Sequence, residues 1–266
     1  MTFSRRLLAS FTAAVLALAV GCAHLATPQE KEVSYRRFSS LAVAGVQLGD
    51  YLRDRTAVII AGAKPQVLST GDHDVVFRFR PSSRDGFDMG FASAVTSDGY
   101  FLTAAHCVPR QPVYLLKRQA NQVRVESVRI VWTPPAGSPC DIAIVKINET
   151  AAAPFEWENL QQIKPQDDVV TLGPSGFAGG KVLEITPALV PATPLTPAAL
   201  AVFHDAPLNY GDSGGPLVTL DGKLLGIEVL ARARMLGSTQ GIALQPDPQW
   251  IQHTIDADRK LQPSVH

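Results

Sequence analysis

The sequence reads as an all-β protein of short strands, in a barrel or a sandwich, followed by one short C-terminal helix. Three features carry that expectation. From Val75 onward short apolar or alternating runs recur, among them "VVFRFR", "DIAIVKI", "VVTLG" and "PLVTL". Turn signals separate the runs, notably Ser97-Asp98-Gly99 and Asp221-Gly222; a glycine after Asp between apolar runs marks a hairpin, and many short strands mark a barrel or sandwich. Near the end, "DPQWIQHTIDADRKL" places Trp250, Ile251 and Ile255 on one helical face, with Asp247 as N-cap and Pro248 in the first turn. Between the later strands, "TPALVPATPLTP" holds four prolines, which cannot donate to a sheet ladder and so belong to loop or edge. Residues 38–66 are mixed and fit no single element.

Composition bounds the rest. A length of 266 residues suits one large domain or a two-barrel unit, and 46% hydrophobic residues exclude a disordered chain. The net charge is zero, which gives no electrostatic ground for binding nucleic acid.

The N-terminus carries Arg5 and Arg6 followed by a 14-residue apolar run from Leu7 to Val20. That is a signal-peptide core, too short to span a bilayer, and it implies export. "LAVGC", Leu18 to Cys22, resembles the lipobox of bacterial lipoproteins. The resemblance implies acylation of Cys22, and Ala23 after it implies the outer membrane of a diderm host. Cleavage near Ala17–Ala19, leaving Cys22 a free thiol, is the plainer alternative.

Chemistry concentrates in three places. "LTAAHC" holds His106, "CDIAIVKI" holds Asp141, and "LNYGDSGGPLVTLDG" holds Ser213 among glycines. Serine is a weak nucleophile until a base takes its proton, and imidazole, with an ordinary pKa of about 6.5, suits that task. A carboxylate fixes the imidazole's tautomer and stabilises its cation. Gly211 lets the backbone turn so that its N–H and that of Ser213 can face a developing oxyanion. "GDSGG" also satisfies the nucleophile-elbow pattern of α/β-hydrolases, but that fold needs His after Ser. The order here is His, Asp, Ser, that of chymotrypsin-like enzymes.

These three segments resemble the signature regions of the trypsin/chymotrypsin superfamily of serine peptidases, over about Val75 to Ile255. Within it, "DGYFLTAAH" and "HDAPLNYGDSGGPL" are most similar to the bacterial Deg-type (high-temperature-requirement) proteases. The resemblance implies two perpendicular six-stranded β-barrels with the active site between them. It divides the chain into a signal peptide (1–21), a lipid-anchored tether and N-terminal segment (22–66), a first barrel (67–155), a second barrel (156–246) and a C-terminal helix (247–262). It implies a serine endopeptidase with His106, Asp141 and Ser213 catalytic and Gly211 and Ser213 forming the oxyanion hole. The chain ends without the PDZ domain usual in Deg-type enzymes, so their oligomeric control is not carried over. The alternatives are an esterase with the same triad, and an inactive protease-like lipoprotein that binds peptides.

Finer expectations follow from the same resemblance. The primary pocket has Pro207 at its floor, Leu230 and Ala231 in one wall and Gly241 in the other. That implies cleavage after Val, Ala or Leu, unless Glu228 turns inward and accepts a basic residue. His204, Asp205 and Glu228 otherwise read as surface or rim residues. Cys107 and Cys140 form a candidate disulfide, since each adjoins a triad member; two buried thiols are the alternative. Nothing matches a zymogen cleavage site, so Asp212 is expected to find a local partner. The partners implied are a protein or peptide substrate and the membrane, not nucleic acid. No metal-ligand spacing is present, and no cofactor is expected.

Overall fold

The computed structural model describes residues 31–36, 46–70, 74–81, 86–119, 122–136, 138, 140–148, 153–173, 176–188, 197–233 and 239–261. The signal peptide, the lipobox and Cys22 lie outside them.

Helix α1 (Val46–Arg55) leads into β2 (Thr56–Ala61). Leu48, Tyr51 and Leu52 give α1 its apolar face, and Leu52 is fully buried. The first sheet combines β2 with β5 (Asp88–Ala94), β6 (Tyr100–Thr103), β7 (Val113–Gln119), β8 (Gln122–Ser127), β9 (Arg129–Trp132) and β10 (Ala143–Lys146). Its order is β8-β7-β2-β5-β6-β10-β9, a seven-stranded half-barrel. A smaller sheet adds β1 (Lys31–Arg36) and the hairpin of β3 (Ala63–Thr70) and β4 (Asp74–Pro81), in the order β1-β4-β3.

The second unit is closed. Strands β11 (Asp168–Gly173), β12 (Gly176–Pro187), β13 (Ala199–His204), β14 (Pro216–Thr219), β15 (Leu224–Ala233) and β16 (Thr239–Pro246) form a barrel in the order β11-β12-β13-β16-β15-β14. The chymotrypsin-like architecture is therefore present, with six closed strands in the second barrel and seven in the first sheet. The expected start of the first barrel at residue 67 is corrected. Strand β2 already sits inside that sheet, between β7 and β5. In the sequence "TAVIIA" does not stand out as a strand, because α1, with Gly49 and four charged residues, masks where the pattern changes period.

One apolar cluster runs through both units, from Ile59, Phe101 and Ile144 to Leu172 and Ile227. Helix α2 (Pro248–Leu261) closes the chain as expected. The Asp247 carboxylate caps it by accepting the Gln249 N–H, and Ile251 and Ile255 are buried. Trp250 packs edge-on against Trp132 of β9. Asp258 accepts the Tyr100 hydroxyl at 2.8 Å and a bidentate pair from Arg129, so α2 is fastened to the first sheet.

Candidate active site

Antiparallel pairing of β6 with β10 brings two distant residues together. Thr103 lies opposite Ala143. His106 follows Thr103 in a 3-10 turn, Ala105–Cys107, and Asp141 precedes Ala143. The Asp141 carbonyl accepts the Ala105 N–H. One carboxylate oxygen accepts the His106 backbone N–H at 2.9 Å, and the other faces His106 Nδ1 at 2.6 Å. The carboxylate thus fixes both the backbone and the ring of His106. Its hydrogen bond is the main reason the imidazole pKa is pushed up to about 10, with a contact from Cys107 adding to it and burial opposing it.

Ser213 stands between β13 and β14, on the second barrel. Its carbonyl accepts the Phe91 N–H of β5, so the serine segment is pinned to the first sheet. Gly214 has φ +83°, and a Cβ there would lie 1.9 Å from the Phe91 carbonyl oxygen; only glycine permits the approach. Gly211, with φ +97°, turns the backbone just ahead of the serine. The local partner expected for Asp212 is the Asn209 N–H, accepted at 2.5 Å, and Asp212 N–H returns to the Asn209 carbonyl. Burial, reinforced by the nearby Glu228 charge, pushes the Asp212 carboxyl up to about 6.

His106, Asp141, Gly211 and Ser213 all line one cleft of about 490 Å³ between the two units. Leu230 lines it as well and is 48% exposed. Tyr210, next to Gly211, is 99% exposed at its rim, a feature sequence alone did not single out. Asp88 lines the opposite side and is ion-paired with Arg110.

Four expectations need correction. Pro207 is exposed and is not among the residues that line the cleft, so it makes no pocket floor. Cys107 and Cys140 are free, buried thiols, and Cys107 Sγ faces the Ser213 carbonyl at 3.7 Å. His204 and Glu228 are not rim residues. Both are buried and face each other, Nε2 to Oε2, at 3.0 Å. The signal was available, since alternation along "ALAVFH" puts His204 on the same face as the buried Val202. Asp205 is exposed, as expected of a rim residue, and accepts the Lys181 N–H. Gly241 is buried, with the His204 ring directly over it; Ala231 lies on β15.

The model of the trypsin-like peptidase domain matches residues 89–227, just over half of the chain and an interval that contains all three catalytic candidates. The probable periplasmic serine endoprotease DegP-like of Pseudomonas fluorescens is 28% identical over 145 residues, covering 54% of this chain and 29% of that one. Serine protease HTRA1 of Xenopus tropicalis is 29% identical over 214 residues, covering 72% and 44%. The chain therefore spans less than half the length of these relatives. Among solved structures, the HtrA-type protease AlgW with a decapeptide matches with a TM-score of 0.57 at 16% identity, over 80% of this chain and 67% of that one. The active form of the Rv3671c protease from M. tuberculosis matches with a TM-score of 0.55 at 17% identity, over 82% and 91%. With its fold, its cleft and its matched interval, this chain belongs to the family of trypsin-like peptidase domains, where its relatives are Deg-type serine proteases.

Proposed function

We propose that this chain is a serine endopeptidase that works through an acyl-enzyme on Ser213. The observation that carries the reading is the doubly anchored His106–Asp141 pair, set in one cleft with Ser213. In this reading neutral His106 takes the Ser213 proton as the hydroxyl oxygen attacks the scissile carbonyl. Asp141 stabilises the imidazolium and holds the ring in place. The N–H groups of Gly211 and Ser213 receive the oxyanion, a contribution of about 2.7–4 kcal/mol per donor in the transition state. His106 then protonates the leaving amine, and water, activated by the same imidazole, releases the acyl group. A protein or extended peptide is the substrate, a reading supported by the AlgW structure, whose partner is a decapeptide.

A serine-directed fluorophosphonate tests this directly. It is expected to label the full chain, with label lost in Ser213→Ala and hydrolysis of casein lowered by as much as about a million-fold. Stable peptide binding by a protein that never takes the label would instead establish the inactive, peptide-binding alternative.

Export fits the same reading. The Pseudomonas relative is named periplasmic, and the leader of this chain is built for export. We further propose that Cys22 is acylated and anchors the protein to a membrane, where more than one acyl chain is needed for stable attachment. A Cys22→Ala protein is expected in the soluble fraction; its retention in membranes would refute the anchor.

A further inference from the structure

We propose that Glu228, braced by His204, is the acidic floor of the pocket that receives the side chain preceding the scissile bond, and that this pocket takes lysine or arginine. The proposal rests on the protease reading above and names its substrate class.

Position is the first argument. His204 ends β13, and the chain that follows it supplies Leu208 to Gly211 to one wall of the cleft. Glu228 lies on β15, and the next residues, Val229 and Leu230, supply the facing wall. The His204–Glu228 contact therefore joins β13 to β15, the two strands that lead into the facing walls. Glu228 is also tied to the nucleophile's own turn. Its carbonyl accepts the Gly214 N–H at 2.7 Å, and its N–H donates to the Gly215 carbonyl at 2.9 Å. Room for the imidazole comes from Gly241 opposite, where a Cβ would stand 2.1 Å from ring carbon Cε1.

Charge is the second argument. The side chains of His204 and Glu228 are 0% and 1% exposed. Glu228 Oε1 and Asp212 Oδ1 are buried and have no partner among the described residues. Glu228 thus meets a single imidazole through one oxygen and leaves the other unmatched, with Ala243 paired opposite it among the apolar residues of the barrel core. Buried carboxylate oxygens are ordinarily matched by donors, and a buried charge by a countercharge. An ammonium or guanidinium entering between the walls supplies both. An aliphatic side chain supplies neither, and a carboxylate is repelled.

The test has two arms. In the first, the full chain is given a positional peptide library; cleavage is expected mainly after Lys and Arg. Glu228→Gln should lower kcat/KM for an Arg substrate by about 30-fold or more relative to its Leu counterpart, as loss of one partner of a buried charged hydrogen bond does. The second arm needs no turnover. Ser213→Ala protein is titrated with the fluorescent amidinium 4-aminobenzamidine, which should bind saturably and lose most of its affinity when Glu228→Gln is added. Thermal melts establish that the variants fold, and the unmutated chain's preference stands whether or not they do. Dominant cleavage after Val, Ala or Leu would overturn the proposal while leaving the protease reading intact. Amidinium binding indifferent to Glu228 would also overturn it. Glu228-dependent amidinium binding without fluorophosphonate labelling would keep the cationic pocket and remove the protease reading.

Discussion

The carbonyl of Ser213 accepts the N–H of Phe91 at 2.8 Å, and through that bond a turn of the second barrel is registered against β5 of the first sheet. The same Phe91 offers its carbonyl to the Thr103 hydroxyl, three residues ahead of His106. Ser213 and His106 are thus positioned from one strand.

Gly90 makes that approach feasible. A Cβ at this position would lie 2.5 Å from the Ser213 carbonyl oxygen and 2.6 Å from Cys107 Sγ. Gly90→Ala must push β5 and the serine turn apart. A displacement of about 1 Å at reacting groups costs on the order of 100-fold in rate, whereas overpacking by one methyl costs about 1–3 kcal/mol of stability. The variant is expected to fold and to react with fluorophosphonate about 100-fold more slowly. Labelling at the unmutated rate would show that the two units are not registered through this contact.

The pH profile should lie on the alkaline side. His106 must be neutral to accept a proton, and the Asp141 hydrogen bond, more than any other influence, pushes its pKa up to about 10. The neutral fraction therefore grows as pH rises through the alkaline range, and kcat/KM should still be climbing at pH 8. Asp141→Asn removes the main cause of the shift, so its residual activity should level off nearer the ordinary imidazole range of about 6.5. A profile already flat by pH 7 in the unmutated chain would contradict this.

Much of this site was legible in the sequence because its parts are local. His106, Asp141 and Ser213 each sit in a short segment whose glycines, apolar strand or turn single it out, and they line one cleft; the helix cap at Asp247 is readable in the same way. The pocket was not legible. Its floor depends on which face of β15 Glu228 occupies, and a register shift between Glu228 and Leu230 breaks the alternation that would reveal it. Pro207 follows from resemblance alone, and resemblance does not show that the residue is exposed away from the cleft lining. The pairing of Cys107 with Cys140 failed for a related reason. Adjacency to residues that meet does not make neighbouring side chains point at one another.

The clamp between α2 and the first sheet should be asymmetric. Asp258 accepts from both Tyr100 and Arg129, and Tyr100 is fully buried while Arg129 is half-exposed. Tyr100→Phe leaves Asp258 paired with Arg129 and should cost about 1 kcal/mol. Asp258→Ala strands the buried Tyr100 hydroxyl and should cost about 1–3 kcal/mol, the larger loss of the two. Denaturant titration measures both; the reverse ranking would mean that the Tyr100 hydroxyl contributes through a group other than Asp258.

Asp212 should make the fold less stable as pH rises. In the unfolded chain its carboxyl titrates at about 3.9, and in the folded protein burial, with the Glu228 charge adding to it, raises that to about 6. The folded state therefore holds its proton more tightly than the unfolded state does. Stability from this group is complete below about pH 4, declines between about 4 and 6, and is lost above that. Asp212→Asn keeps an oxygen for the Asn209 N–H but cannot ionise, so its stability lacks this slope. Relative to the unmutated chain, the variant should gain about 2 kcal/mol between pH 4.5 and pH 8, measured by urea unfolding at each pH. A difference that stays constant across that range would show that Asp212 ionises in the folded protein as easily as in water.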